Sequence, residues 1–185
     1  MTGAPINLIQ ALTTDNKGFI MQIRHVKHPF GAVIDENCKV LILGSVPSVK
    51  SVEGNFYYMH PKNRFWKVMS ALLGADLYSA DIPTRINVMT KRHIALYDSV
   101  EECDILGSSD SKITNVVPAD IPALIAKSQI THIFCNGAAS YGNLIKYHPE
   151  LEGIATKLPS TSPANAAFSL DKLIEEWQVV MDAIK

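Results

Sequence analysis

The chain has 185 residues, of which 47% are apolar and 19% are charged, and its formal net charge is −1. This length and composition indicate one globular domain with a core of its own, and the near-zero charge excludes a basic field over the whole surface. Basic residues cluster only locally, at Lys50, Lys62, Arg64 and Lys67. Solvated surface charges and a basic contact face both remain open for that cluster.

The three cysteines, Cys38, Cys103 and Cys135, lie far apart. An odd number at such spacing predicts neither a disulfide framework nor a metal or iron–sulfur site, so we expect buried, reduced thiols and a cytoplasmic protein. No apolar run approaches the roughly 20 residues that span a bilayer, so no membrane partner is expected. We interpret residues 1–20 as an N-terminal appendage, ordered or not, and residues 21–185 as a single domain.

Four short apolar runs predict β-strands. They comprise residues 40–43, 94–97, 132–135 and, more weakly, 154–158. The first and third are almost continuously apolar, as strands covered on both faces tend to be. Buried strands of this kind are typical of a parallel sheet.

Apolar residues at helical spacing predict helices between and after these strands. The predicted helices cover residues 65–73, 121–127, 137–147 and 169–184. Asn63 is placed to cap the first of them, Gly74 to stop it, and Ser169 to begin the last. Residues 105–118 are polar and Ser-rich, and we interpret them as a surface connection.

Strands that alternate with helices imply right-handed crossovers and a parallel sheet between helix layers. The predicted fold is therefore α/β, with three layers (α/β/α) and a central four-stranded parallel sheet. Ligands of such folds bind at the carboxyl ends of the strands.

The first predicted strand runs into a tight turn, Gly44-Ser45-Val46-Pro47-Ser48. A glycine directly after a buried strand permits a sharp turn and the close approach of a ligand, and Pro47 stiffens that turn. The glycine spacing does not match a Gly-x-Ser-x-Gly nucleophile elbow, and no Gly-Lys-Ser/Thr follows as in a Walker loop. An ordinary turn and a ligand-binding turn both fit this segment.

Three adjacent aromatic residues, Phe56, Tyr57 and Tyr58, follow in a loop rich in turn residues. They cannot all face the core, so we expect at least one to be available for stacking on a flat group, worth roughly 1–3 kcal/mol for a base. Asn63 then precedes a helix. It can cap that helix, or its amide can orient a water molecule or a base edge.

A late segment, Ser160-Thr161-Ser162-Pro163, carries three hydroxyls ahead of a proline at a predicted helix start. Free N–H groups and hydroxyls at such a start would bind a phosphate, although a simple capping cluster also fits. Asp98, Ser99 and Asn136 follow two other strands and add polar groups at the same edge of the sheet. Together, these strand ends predict one binding site.

These segments resemble the uracil-DNA glycosylase superfamily over nearly all of residues 25–185. The run His60-Pro61-Lys62-Asn63-Arg64-Phe65-Trp66-Lys67-Val68 resembles the mismatch-specific uracil/thymine glycosylases. The first turn, combined with residues 56–58, 133–137 and 158–166, is most similar to the hypoxanthine-DNA (deoxyinosine) glycosylase branch. The resemblance implies a four-stranded parallel sheet flanked by helices, in agreement with the fold predicted from the pattern.

The resemblance and the residue pattern together imply roles for individual residues. Asn63 and Ser45 are the expected catalytic residues, and Tyr58 is expected to stack on the extruded base. The base-binding residues are predicted to be Gly44, Val46, Pro47, Tyr58, Asp98, Ser99 and Asn136. The DNA-binding residues are predicted to be Ser48, Lys50, His60, Arg64, Ser160, Thr161 and Ser162.

The chain also departs from the superfamily pattern. Val46 stands where the uracil and mismatch branches have an Asp or Asn that positions the attacking water, and the late segment lacks the histidine of the most active uracil enzymes. The resemblance to the hypoxanthine branch implies that Asn63 takes over part of the catalytic task. The absence of four clustered cysteines argues against the iron–sulfur branches.

We therefore hypothesise a monofunctional, monomeric DNA glycosylase of base-excision repair that needs neither metal nor cofactor. It would flip deaminated bases out of DNA, hypoxanthine first and uracil second, and hydrolyse the N-glycosidic bond. A catalytically silent binder of damaged or abasic DNA is the main alternative, because Val46 is apolar. A hydrolase that uses Ser45 or Ser48 and a nucleotide-binding domain are the others, and the lack of a Gly-rich phosphate loop disfavours the last.

Overall fold

A computed structural model of the protein describes residues 10–14, 20–106 and 113–185. The β-strands are β1 (Gln10–Thr14), β2 (Ile20–Lys27), β3 (Val40–Gly44), β4 (Ile94–Asp98), β5 (Val100–Leu106), β6 (Ile113–Pro118), β7 (His132–Asn136) and β8 (Ala155–Leu158). The α-helices are α1 (Val49–Glu53), α2 (Phe65–Leu73), α3 (Ile82–Lys91), α4 (Ile121–Ile125), α5 (Ala138–Tyr147) and α6 (Leu170–Ala183). A 3₁₀ helix covers Pro149–Ile154.

The central sheet is parallel and has the strand order β4-β3-β7-β8. All four strands are those predicted from the apolar runs. In β3, Val40 and Ile42 pack into one hydrophobic cluster and Leu41 and Leu43 into another, because successive side chains of a strand point to opposite faces. Helices therefore cover both faces, as the continuous apolar sequence predicted, and the α/β/α fold is confirmed.

The helix boundaries follow local sequence signals closely. Gly74 ends α2 in the left-handed conformation, with φ 63°, and the Ser169 side chain accepts a hydrogen bond from Lys172 N at the start of α6. Helix α4 ends at Ile125, two residues before the predicted end. Helices α1 and α3 were not predicted; Ser48 and Asp81 cap them.

A second, antiparallel sheet has the order β1-β2-β5-β6 and was not predicted. Part of the expected surface connection 105–118 belongs to it, since β5 ends at Leu106 and β6 begins at Ile113. Residues Gln10–Thr14 pair with β2, so this part of the expected appendage is a strand of the sheet. The rest of the expected appendage, apart from Ile20 in β2, lies outside the described residues.

The two sheets meet where β4 passes into β5. Residue Asp98 ends β4 and Val100 begins β5, and a small cluster of Val26, Val100, Cys103 and Ile105 forms the core of the antiparallel sheet. Val46 packs against this cluster from the turn after β3. Among the described residues, no helix is long and apolar enough to cross a membrane.

Candidate active site

The carboxyl ends of the four parallel strands surround a cavity of about 110 Å³. The register aligns Gly44 with Asp98 and Asn136 with Leu158, so the polar residues that end these strands come together at one edge. The cavity is lined by Gly44, Ser45, Val46, Pro47, Ser48, Ser51, Tyr57, Tyr58, Asn63, Asp98, Asn136, Ser160, Thr161 and Ser162. This is the position that the topology predicts for a ligand.

The structure brings together most of the residues predicted for the site. Both expected catalytic residues line the cavity, as do all expected base-binding residues except Ser99. Among the expected DNA-binding residues, Lys50, His60 and Arg64 lie outside the lining.

The ring of Tyr58 lies flat against Phe65, with centroids 3.9 Å apart and planes 27° apart. Phe65 thus supports one face of a ring that lines the cavity. The backbone of Tyr58 has φ 58°, a conformation that costs free energy for a bulky residue and is concentrated at functional sites. The arrangement orients an aromatic surface for stacking.

The hydroxyl of Tyr58 is buried and makes no hydrogen bond within the described residues. Burial raises the pKa of this phenol, so the hydroxyl is neutral. The Asn136 amide lies close enough to oppose that rise in pKa, but the contact lacks hydrogen-bond geometry. Tyr58 therefore presents an uncharged phenol side chain to the site.

The other two aromatic residues of this loop belong to the core. Phe56 stacks on Trp66, with an interplanar angle of 12°, and the Tyr57 hydroxyl donates to Gly31 O at 3.0 Å. Trp66 Nε1 in turn donates to Tyr57 O at 2.9 Å. These contacts fix the backbone on which Tyr58 stands.

Asn63 uses only part of its amide for structure. Its Oδ1 accepts at 2.9 Å from the N–H of Phe65, the first residue of α2, but the N-cap position is occupied by Arg64 and not, as predicted, by Asn63. Its Nδ2 donates no hydrogen bond within the described residues, although Asn63 lines the cavity. The bond to Phe65 and a functional role are therefore compatible, because they use different atoms of the same side chain.

Asn136 binds the late segment through both the oxygen and the nitrogen of its side-chain amide. Its Oδ1 accepts from Thr161 N at 2.9 Å and its Nδ2 donates to Thr161 Oγ1 at 2.9 Å. Next to it, Gly137 has φ 97°, and a Cβ there would lie 2.8 Å from Ser160 Cβ. These contacts hold the segment against the end of β7.

The late segment does not begin a helix at Pro163, as the sequence suggested. Residues 163–164 form a turn, and α6 begins only at Leu170. The serine hydroxyls cap this turn instead: Ser160 Oγ accepts from Ser162 N at 3.2 Å and Ser162 Oγ from Ala164 N at 3.3 Å. The predicted helix start is therefore wrong, and the hydroxyls of Ser160, Thr161 and Ser162 line the cavity without it.

Arg64 binds the late segment from the side of α2. Its Nε donates to Thr161 O, its Nη1 to Phe168 O and its Nη2 to Ser162 O and Asn165 O. These bonds use four of the five N–H donors of a guanidinium. The arrangement favours an internal brace over the DNA contact that the sequence suggested.

Three further predicted residues lie away from the cavity lining. Ser99 is buried behind the first turn, where its Oγ donates to Ser45 O at 3.3 Å and accepts from Asn143 Nδ2 at 3.2 Å. A base contact by Ser99 is therefore excluded in this arrangement. Lys50 pairs with Glu53 at 2.6 Å on the surface, and His60 Nδ1 accepts from Lys62 N, so their DNA contacts stay predictions.

The first turn offers backbone donors to the cavity. Within the described residues, Ser45 N and Val46 N donate no hydrogen bond, and both residues line the cavity. Gly44 admits no side chain, because a Cβ there would lie 2.0 Å from Asp98 Oδ1 and 3.1 Å from the Tyr58 hydroxyl. The close approach expected of this glycine is thus made by a carboxylate and a phenol of the protein itself.

Sequence reasoning missed two residues of the site, Ser51 and His28. Ser51 lines the cavity, and its hydroxyl accepts from Met59 N at 3.3 Å. His28, just beyond β2, contacts Asp98 Oδ2 through Nε2 at 3.0 Å. No local pattern marks either residue, and the partner of His28 lies 70 residues away.

The described residues contain no group of three or more His, Cys, Asp or Glu side chains that could hold a metal ion. Cys38 and Cys135 are buried thiols, and burial raises the pKa of Cys38 to about 11 and that of Cys135 to about 12. These thiols are therefore protonated and inert in the folded protein.

Comparison with known proteins identifies relatives of this chain. A protein from Methanosarcina acetivorans named hypoxanthine DNA glycosylase is 34% identical over 158 residues, which cover 84% of this chain and 98% of that protein. A protein of the same name from Methanosarcina barkeri is 38% identical over 87 residues, covering 47% of this chain and 55% of that protein. No protein-family model matches the chain.

The fold also has a solved counterpart. A solution NMR structure of a Methanosarcina acetivorans protein proposed to be a uracil DNA glycosylase superposes with a TM-score of 0.71 at 32% identity. The match covers 84% of this chain and 96% of that one. Fold and site thus define a DNA glycosylase of the uracil-DNA glycosylase type. The chain belongs to the hypoxanthine DNA glycosylase branch of that superfamily, as its motifs suggested.

Proposed function

We propose that this glycosylase releases hypoxanthine from DNA, and uracil as a second substrate, after the damaged nucleotide has been flipped out of the stack. The name shared by the two Methanosarcina relatives supports hypoxanthine as the first substrate. The observation that carries the proposal is the cavity itself, where an aromatic face and an amide with an uncommitted donor meet at the strand ends. A flat, polar base suits such a site.

Stacking on Tyr58 would hold the extruded base. Because Phe65 supports the opposite face of the ring, Tyr58 does not need to move to receive a base. Stacking of this kind is worth roughly 1–3 kcal/mol, comparable to the few kcal/mol needed to extrude a weakly paired base. A deaminated base, which pairs poorly, is therefore the easiest to bind.

Hydrolysis of the N-glycosidic bond would be aided by donors aimed at the leaving base. The bond breaks with positive charge on the sugar and negative charge on the base. The N–H groups of Ser45 and Val46 and the Nδ2 of Asn63 are uncommitted donors on the cavity wall. Donors already in position stabilise such charge without reorganising, which is often the largest catalytic contribution.

The attacking water would be held near C1′ by Asn63. The Val46 side chain packs against the core of the antiparallel sheet and has no polar atom to offer. Asn63 Oδ1 keeps a second lone pair beside its bond to Phe65 N, and an amide can both donate and accept. The proposed reaction uses no metal and no covalent intermediate.

The DNA backbone beside the flipped nucleotide would run along the late segment. Ser160 and Ser162 are half-buried there, whereas Thr161 is fully buried and held by Asn136. Lys50 and His60 lie outside the cavity lining and are proposed to contact phosphates. We expect a monomer that acts on DNA in the cytoplasm, where its buried thiols stay reduced.

The test is single-turnover base release from duplexes that carry one hypoxanthine, uracil, xanthine or thymine, with abasic product cut by alkali. We expect release of hypoxanthine to be fastest, uracil to be slower, and an unmodified adenine duplex to stay intact. If no base is released while abasic DNA is bound tightly, the chain is a silent lesion binder and the proposal fails. Faster release of uracil than of hypoxanthine would overturn the substrate order alone.

A further inference from the structure

His28 and Asp98 form a buried pair beside the cavity. Their side chains are 1% and 6% exposed, and His28 Nε2 lies 3.0 Å from Asp98 Oδ2. His28 follows β2 of the antiparallel sheet, whereas Asp98 ends β4 of the parallel sheet. The pair therefore joins the two sheets at the place where Asp98 lines the cavity.

The second ring nitrogen of His28 determines how many protons this pair holds. Nδ1 lies 2.6 Å from Phe30 O, and because a carbonyl oxygen only accepts, Nδ1 carries hydrogen. A hydrogen bond between Nε2 and Oδ2 then requires one further proton, on the imidazole or on the carboxyl group. In either form the pair has no net charge, so it does not repel a leaving base that becomes negative.

The rings around His28 do not compete for that proton. The Tyr97 ring lies 4.9 Å from the His28 ring and the Tyr57 ring 5.8 Å from it, between centroids. Burial raises the pKa of both phenols, so both stay neutral. His28 N also donates to Glu101 O at 2.8 Å, which holds the backbone of His28 against the start of β5.

Asp98 offers its other oxygen to the cavity. Oδ1 makes no hydrogen bond within the described residues, and it is not among their fully enclosed unpaired atoms. It also packs against the backbone of Gly44, only 2.0 Å from the position that a Cβ of residue 44 would occupy. With Oδ2 held by His28 and Oδ1 confined by Gly44, the carboxyl group has one orientation.

The chemistry of deaminated bases matches such an acceptor. Hypoxanthine carries an N–H at N1 and uracil one at N3, where adenine and cytosine have a bare nitrogen lone pair. An oxygen that only accepts attracts the N–H and repels the lone pair. A carboxyl oxygen held in a fixed orientation can therefore distinguish a deaminated base from the adenine or cytosine from which it derives.

We propose that His28 is a positioning residue for base selection: it holds Asp98 so that Oδ1 accepts the N–H of a deaminated base. This inference rests on the proposed release of hypoxanthine and names the contact that selects it. His28 itself does not line the cavity and touches no substrate. Its effect passes through the carboxyl group alone.

The test compares His28→Gln with His28→Asn, two neutral amides of different length. The Gln amide reaches the position of Nε2 and keeps a donor for Asp98, whereas the Asn amide reaches the position of Nδ1 and keeps only the bond to Phe30 O. Neither amide carries the further proton of the pair, so any loss of rate from that cause is common to both variants. We expect H28N to release hypoxanthine about 10–100-fold more slowly than H28Q, the effect of losing one hydrogen bond to a charged group.

Unsubstituted purine in the same duplex serves as the substrate control, because its N1 has a lone pair and no hydrogen. We expect H28N to lose most of the wild-type preference for hypoxanthine over purine and H28Q to keep it. Hypoxanthine and purine differ as leaving groups, but this difference is the same for every variant. It therefore cancels when the preference is compared between variants. Thermal unfolding and affinity for abasic DNA, which contains no base, should be alike in the two variants and report that both are folded.

Equal losses of rate in H28Q and H28N, or an unchanged preference for hypoxanthine in H28N, would overturn the inference while leaving the proposed function intact. If the wild-type enzyme releases uracil but not hypoxanthine, the preference for uracil over cytosine is measured in place of the preference for hypoxanthine over purine. The same comparison of H28Q with H28N then tests the inference. If it releases neither base, the proposed function fails in the wild-type arm, and the inference fails with it.

Discussion

Asn63 shows at the scale of one residue how structure and catalysis share a side chain. Its Oδ1 accepts from Phe65 N at the start of α2, while its Nδ2 donates no hydrogen bond within the described residues. An asparagine bonded to the start of a helix is common and usually implies nothing about function. Here the geometry separates the two tasks by atom, so two substitutions can separate them in an experiment.

We expect both Asn63→Ala and Asn63→Asp to slow base release, and only Asn63→Ala to lower stability. Asp keeps the oxygen that accepts from Phe65 N and loses the Nδ2 donor, whereas Ala loses both. Removing a donor to a developing negative charge should slow hypoxanthine release by at least about 100-fold in both variants. Only N63A should lose about 1 kcal/mol of unfolding free energy.

Single-turnover release and urea unfolding measure the two effects of Asn63 separately. Wild-type rates in N63D would show that Nδ2 takes no part in catalysis. Equal stability of N63A and N63D would instead mean that the bond to Phe65 N contributes little.

The loop of residues 159–168, which contains the late segment, is the element on which the geometry of the site depends most. It has no regular structure beyond the end of β8, so its shape depends on contacts from neighbours. Asn136 holds it from β7, and Arg64 holds it from α2 through four carbonyl groups. The closeness of Gly137 to Ser160 adds a steric requirement.

Gly137, directly before α5, and Gly142, in the middle of α5, give opposite predictions. Gly137→Ala would force a residue with φ 97° to carry a Cβ only 2.8 Å from Ser160 Cβ, so we expect a loss of more than about 1 kcal/mol and displacement of the late segment. Gly142→Ala has open space, and within a helix it should gain about 0.5–1 kcal/mol. Denaturant unfolding of both variants measures the difference, and a stabilised G137A would contradict the packing described here.

Arg64→Met tests whether this arginine braces the protein or contacts DNA. A brace predicts lower thermal stability and slower base release, with no change in the salt dependence of DNA binding. A phosphate contact predicts that the slope of log K against log salt falls by about one. Lys62→Met, which removes an exposed charge of the same segment, is the matched control for loss of charge.

At the scale of the whole molecule, two buried thiols report on the integrity of the core. Burial raises the pKa of Cys38 to about 11 and of Cys135 to about 12, from an ordinary value of 9.0. Because the folded-state pKa is the higher one, the unfolded state loses protons first as pH rises. Stability from this source is complete below about pH 9 and decreases above it.

We therefore expect a disulfide reagent to label Cys38 and Cys135 only as fast as the protein opens. At pH 8 the labelling should be slow, and it should become rapid in denaturant. Unfolding free energy should fall between pH 9 and pH 11. Rapid labelling of either thiol in the native protein at pH 8 would contradict the burial described here.

The parallel sheet, helices α2 and α6 and the first turn were all predictable, because each rests on a local signal. A strand covered on both faces is continuously apolar, and helix ends carry capping residues and glycines within a few positions of the boundary. The carboxyl ends of parallel strands then meet at one edge by topology alone. This logic was sufficient to place Gly44, Asp98 and Asn136 at one cavity.

The antiparallel sheet was not predictable in the same way. Strand β6 has no buried residue, and β5 mixes polar and apolar residues without regular alternation, with acidic side chains at Glu101, Glu102 and Asp104. Such strands form because a neighbouring strand supplies backbone partners, and the sequence of the strand itself does not reveal that neighbour. For the same reason, the sequence did not predict a role for His28, because its partner Asp98 lies 70 residues away.

By itself, then, the sequence determined the family, the parallel core and most of the residues that face the cavity, because local patterns encode burial and chain direction. Only the tertiary structure decided which polar atoms are already engaged by the protein. It assigned Arg64 to carbonyl groups, turned Ser99 away from the cavity and placed His28 against Asp98. Hydrogen-bond partners distant along the chain are chosen by the packing of whole elements, and no short pattern of residues records that choice.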